Sequence, residues 1–203
     1  MFNPLRNLPA FCLLGLMSSA ALADNASVND VPAPATSPFK WTFQAGLTQG
    51  GDTLVTTYYV SGSSEDVNAG DFLYFGGGFD YRLGKDMALR TTINYMVADS
   101  TADNGSVKFD RMPLEISLAK EFSRHRLAVG ITRHFSPKLK VDVPGLNVTL
   151  EFEDADGTLI EYGYRLGGNA WITLRHVSID YTVSGLASSV DGSHFGIGAA
   201  ASF

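Results

Sequence analysis

From Phe39 onward the apolar residues recur at every second position, a period that restricts the chain to strands whose two faces meet different surroundings. Trp41, Phe43, Ala45 and Leu47 alternate with Lys40, Thr42, Gln44 and Gly46. Leu73, Phe75, Phe79 and Tyr81 share a face opposite Tyr74, Asp80 and Arg82. The same alternation runs through Met87–Val97, Leu114–Leu118, Leu127–Ile131, Ile160–Leu166 and Phe195–Phe203. One strand is irregular. Between Trp171 and Val183, Val177, Ile179 and Tyr181 fall on one face while Ile172 and Leu174 fall on the other, and a bulge near Arg175–His176 is expected to reconcile them.

Short and long connections alternate between these strands. Gly84-Lys85-Asp86, Ser123-Arg124-His125 and Gly168-Asn169-Ala170 are tight, whereas Gly50–Gly70, Asp99–Ser106, Pro137–Gly157 and Ser184–Gly192 are long. An antiparallel barrel crossing an outer membrane has this signature, with tight periplasmic turns and longer outer loops. The expected fold class is therefore all-β, a closed antiparallel transmembrane β-barrel of eight strands. Strand-like runs at Leu54–Val60 and Val148–Phe152 leave two possibilities, hairpins that rise above the membrane or a barrel of ten strands. Trp41, Phe79, Tyr81, Tyr95, Phe122, Tyr164, Trp171 and Phe203 lie near strand ends, where aromatic girdles meet the two interfaces. The competing fold is a soluble β-sandwich or ligand-binding barrel, with the apolar face turned inward.

The front of the chain is organised differently. Residues 1–23 read as a signal peptide: Arg6 in the first segment, an apolar run from Ala10 to Met17, then Ala21-Leu22-Ala23 before Asp24. The run is too short to span a bilayer as a helix. Residues 24–38 form a periplasmic linker with three prolines and no aromatic residue, a composition that cannot bury a core. The barrel occupies 39–203. Cleavage after Ala23 removes the only cysteine, so no disulfide supports the exported domain. It also removes Arg6, leaving 14 basic residues against 21 acidic ones, an imbalance that argues against nucleic-acid binding.

As a pattern, Phe39–Phe203 resembles the small outer-membrane barrels of the OmpX and OmpA transmembrane-domain type. Phe195, Ile197 and Phe203, with Ala199 and Ala201 between them, match the alternate apolar positions and final aromatic of that family's last strand. Ala201 stands where the family often carries an aromatic residue. The resemblance implies that the outer-membrane assembly machinery reads these residues. It also implies a monomeric resident of the cell outer membrane, in contact with its lipids and lipopolysaccharide.

Charges of both signs sit opposite the apolar face. Asp80, Arg82, Arg90, Glu115, Glu161 and Arg165 are expected to form an ion-pair network that fills the lumen, with Arg90 and Glu115 as partners on adjacent strands. His134-Phe135-Ser136 is the one enzyme-like constellation. Residues two apart on a strand share a face, so imidazole and hydroxyl can meet, and Glu151 or Glu153 in the following loop is placed to orient the histidine. The tripeptide is similar to the His-x-Ser of outer-membrane lipid A deacylases, although Pro137 replaces that family's Asn. The remaining histidines lack ligand spacing, so neither a metal nor another cofactor is expected. The leading expectation is a non-enzymatic barrel with an envelope-structural or surface-interaction role through its outer loops. The alternatives are a deacylase-like enzyme and a narrow channel for small solutes.

Overall fold

The computed structural model describes residues 37–58, 64–102 and 105–203. The signal peptide and nearly all of the linker lie outside these residues. Twelve strands form: β1 (Phe39–Gly50), β2 (Thr53–Tyr58), β3 (Ser64–Asn68), β4 (Phe72–Arg82), β5 (Met87–Ala102), β6 (Gly105–Phe122), β7 (His125–Val143), β8 (Leu146–Glu151), β9 (Ala155–Gly167), β10 (Ala170–Thr182), β11 (Ser189–Asp191) and β12 (His194–Ser202).

Eight of them close a ring, in the order β1-β4-β5-β6-β7-β9-β10-β12 and back to β1, every pairing antiparallel. Closure removes the sheet edge, so the strands of the wall satisfy one another's backbone groups without water. The seam is continuous from Thr42↔Ser202 to Gly50↔His194. The ten-stranded alternative is not formed. β2 and β3 make a separate hairpin, and β8 adds only to the far end of β7, between Lys138↔Glu151 and Val143↔Leu146.

Outside and inside differ as a membrane requires. Trp41, Phe43, Leu47, Phe75, Ile93, Ile116, Val129, Ile131, Ile160, Leu174, Phe195 and Ile197 all face outward and are exposed. Thr42, Gln44, Asp80, Arg90, Thr92, Asn94, Glu115, Arg126, Glu161, Thr173 and Arg175 are buried within the ring. A soluble fold would reverse this, because exposing so broad an apolar band to water is unfavourable.

The strands outrun the band. β5, β6 and β7 have 16, 18 and 19 residues, whereas about 9–11 suffice to cross a bilayer. The excess carries the wall roughly 20 Å further along the strands. The stretch Asp99–Ser106, expected as a loop, is thus mostly strand, and Pro137–Gly157 is occupied by β7, β8 and the start of β9.

In this collar the polarity inverts. Val67, Ala98, Val107, Phe109, Leu139, Phe152, Leu159, Val177, Ile179 and Tyr181 turn inward as an apolar core, while Asp99, Lys140 and Asp180 face out. The inversion resolves β10 without the expected bulge. Its register with β12 runs unbroken from Ala170 to Val177, and the shift against β9 falls at Ala170–Trp171. Thr173, Arg175, Val177, Ile179 and Tyr181 all point inward; only their surroundings change, from polar lumen to apolar core.

Candidate functional site

The lumen is filled by a charge-balanced network. Asp80 and Arg90 stand directly opposite on β4 and β5 and form a two-pronged pair, Nε to Oδ1 at 2.6 Å and Nη2 to Oδ2 at 2.8 Å. The Ser202 hydroxyl donates to the same carboxylate at 2.8 Å. Glu161 lies between two guanidiniums, 3.0 Å from Arg126 and 3.6 Å from Arg90. Glu115 pairs with Arg175, not with Arg90 as the sequence suggested. The register opposes Arg90 to Ser117 and Glu115 to Thr92, so the expected neighbours are out of step. Gln44 ties the middle together, donating 2.8 Å to Asn94 Oδ1 and 3.4 Å to Glu115. Three buried carboxylates thus meet three buried guanidiniums, the condition under which charges persist in a low-dielectric interior.

Two expected members of that network lie at its mouth. Arg82 is exposed and donates to the Lys85 carbonyl. Arg165 is half-buried, 2.6 Å from Glu121. Trp171, expected in the outer aromatic girdle, is instead buried inside, with Arg126 and Arg165 over its ring at 4.6 and 4.5 Å. These groups close the short-turn end, leaving a hollow of about 30 Å³, roughly the room of one water. A second hollow, about 650 Å³, lies at the β1–β12–β10 wall, lined by the outward Leu47, Leu174, Phe195 and Ile197 and also by Thr48, Asp71, Arg175 and Gly196.

Arg126 and Arg175 escaped the sequence reading, although parity with Ala128 and Thr173 would have placed them inward. Tyr74 was legible only in three dimensions. Its ring crosses the lumen face of Gly46 and Gly198 and stacks against the Arg175 guanidinium at 4.8 Å.

The His134–Ser136 dyad is not assembled. Ser136 adopts φ of 48° within a bulge, and Ser136 and Pro137 together oppose the single residue Arg111. The extra residue breaks the alternation, so His134 points in and Ser136 points out. His134 is buried, its Nδ1 2.7 Å from the Tyr181 hydroxyl. Ser136 donates its backbone N–H to Asp154, and Glu151 pairs with Lys138 at 3.0 Å. His134 is packed near the edge-to-face rings of Phe109, Phe152 and Tyr181 in the collar. Arg111 is buried nearby over the Phe109 ring and donates to the Asp71 carbonyl at 3.2 Å.

The two ends carry opposite charge. Around the collar, among the described residues, Asp52, Glu65, Asp66, Asp99, Asp110, Asp142, Glu151, Glu153, Asp154, Asp156, Asp180 and Asp191 face Lys108, Arg133, Lys138 and Lys140. Asp191 is held below the usual aspartate range by hydrogen bonds from the Ser193 hydroxyl and backbone N–H, the latter at 2.8 Å. At the opposite rim, Lys40, Arg82, Lys85, Lys120, Arg124 and Arg165 outnumber Asp86 and Glu121. Phe195, Ile197 and Phe203 all face outward, and Phe203 exchanges backbone hydrogen bonds with Trp41 at 2.8 and 3.1 Å.

No protein-family model and no curated protein sequence matches the chain. Among solved structures it is similar to Ail, the attachment invasion locus protein of Yersinia pestis, in complex with the heparin analogue sucrose octasulfate. The TM-score is 0.53 at 12% identity, over 81% of this chain and 99% of that one. A second structure of Ail gives 0.52 at 9% identity, over 81% and 97%. Neisserial surface protein A gives 0.49 at 13% identity, over 82% and 98%. The likeness is one of fold, the small outer-membrane β-barrel.

Proposed function

We propose that this chain is a non-enzymatic integral protein of the outer membrane that acts through its extracellular collar. The reading rests on one observation: the inward face is a filled polar lumen across the apolar band and an apolar core above it. The ion pairs that cross the lumen argue against a solute path, whereas the collar is a built element that outruns the membrane. A chain that needed only to cross the bilayer would have no use for strands of 16 to 19 residues. On this reading the long loops and collar face outward, and the short turns face the periplasm. The outer-membrane assembly machinery would read Phe195, Ile197 and Phe203, and lipopolysaccharide would surround the collar.

The character of the collar favours a cationic or neutral partner. Among the described residues, twelve carboxylates against four bases repel a polyanion at moderate salt. The heparin analogue held by Ail is therefore a poor guide to the ligand of this chain.

The test has two parts. Protein extracted from outer membranes is run unboiled and boiled on an SDS gel, and a mobility shift is expected from a closed barrel. Cells are then compared for attachment to surfaces coated with cationic or anionic polymer, using wild type and a variant in which exposed collar acids are neutralised, Asp99→Asn/Asp142→Asn/Glu153→Gln/Asp180→Asn. Preferential attachment to the cationic surface, lost in a variant that still shifts on heating, supports the reading. Equal attachment by both strains removes the surface role.

A further inference from the structure

The geometry points to a binding site for anionic phospholipid headgroups on one side of the short-turn rim, formed by Lys120, Arg124 and Lys85. It rests on the proposed membrane reading but goes beyond it, because it assigns a preferred lipid and the residues that select it.

Lys120 is the key residue. It continues the lipid-facing series Ile116, Leu118 on β6, and all three are exposed. Its cross-strand neighbours are Met87 on one side and Leu127 on the other, both exposed and apolar. Among the described residues Lys120 has no carboxylate within ion-pair distance. An ammonium in an apolar surround at the edge of the hydrocarbon extends toward the interface, where a phosphate is its natural counter-ion.

Two further cations lie in the adjoining turns. The Glu121 N–H donates to the Asp86 carbonyl at 2.7 Å, which ties the β6 end to the turn that carries Lys85. Arg124 occupies the turn directly after β6, and both Lys85 and Arg124 are exposed. The acids nearby do not neutralise the group: Glu121 is taken by Arg165 at 2.6 Å, leaving three cations facing the single carboxylate of Asp86. Phe122, exposed and stacked on His125 with ring centroids 5.5 Å apart, flanks the patch with an aromatic pair. A phosphodiester with one net negative charge fits this arrangement, and a zwitterionic headgroup, whose ammonium would meet the same cations, fits it less well.

The full mature protein is reconstituted into nanodiscs of equal phosphatidylglycerol and phosphatidylethanolamine, and lipid retained on collisional release is read by native mass spectrometry. Retention of phosphatidylglycerol several-fold above phosphatidylethanolamine is expected. It should fall to parity in Lys120→Gln/Arg124→Gln and persist in Lys138→Gln/Lys140→Gln, at the opposite end. Equal retention by wild type, or a preference that survives the first variant or vanishes in the second, overturns the site. Each variant is checked for its heat-dependent mobility shift, so that loss of preference in a folded barrel is separated from loss of the barrel. Failure of wild type to enter the nanodisc at all would instead overturn the membrane reading.

Discussion

Arg175 on β10 and Glu115 on β6 form an ion pair across the lumen, between strands that two others, β7 and β9, separate in the wall. Both side chains are buried, so each charge depends on the other for solvation. The pair therefore acts as a cross-brace, joining opposite sides of a wall whose backbone hydrogen bonds join only neighbours. Glu115→Gln should destabilise the barrel by about 3–5 kcal/mol, because it leaves a buried guanidinium uncompensated. Glu115→Leu with Arg175→Met should recover much of the loss. Urea unfolding of protein folded into lipid vesicles measures both, and a single variant as stable as wild type would show that the pair is solvated.

The same network lies across the lumen. In planar bilayers the wild-type protein is expected to give no conductance steps. Truncating the plug with Arg90→Ala, Glu161→Ala and Arg175→Ala together should produce small, frequent steps. Steps from wild type, or continued silence from a folded triple variant, would contradict the packing described here.

Gly198 provides space rather than chemistry. A Cβ there would lie 2.2 Å from the Tyr74 hydroxyl and 2.7 Å from the Ala45 carbonyl oxygen. Gly198→Ala should cost about 1–3 kcal/mol, the usual range for overpacking. Adding Tyr74→Phe should restore part of that loss and not all, because the backbone contact remains. The midpoint of the heat-induced mobility shift reads the series.

Asp191 links the β11 hairpin to pH. Its folded pKa is depressed by the hydrogen bonds from Ser193, so the stabilisation is complete above the ordinary aspartate range and is lost as pH falls through the folded value. The Ser193 amide resonance should therefore move with a midpoint below the usual aspartate value, and Asp191→Asn should flatten that titration. A midpoint at the ordinary value would mean that the hydrogen bonds do not persist in solution.

The faces of the strands were legible in advance, and so were the tight turns. Trp41, Phe43 and Leu47 had to share a side because a strand has period two, and Gly84, Ser123 and Gly168 had to lie in turns because the apolar pattern stops beside them. Burial of Asp80, Arg90, Glu115 and Glu161 followed from the same parity. The partners did not follow. Pairing Arg90 with Glu115 assumed that mid-strand residues on adjacent strands meet, whereas the barrel's stagger sets Arg90 against Asp80 and sends Glu115 across to Arg175.

His134 and Ser136 mark a second limit. Two residues apart on a regular strand share a face, but the bulge at Ser136–Pro137 reverses them, and nothing in the tripeptide announces it. β10 marks a third. Its inward series passes from Thr173 and Arg175 to Val177 and Tyr181 without a break, and the apparent change of face is a change of medium at the membrane boundary. The sequence by itself determined which residues lie on the same side of each strand, because that depends only on local backbone geometry. What each side meets, and which charge meets which, was decided by the closed ring alone, because strand stagger and the height of the membrane are properties of the whole wall.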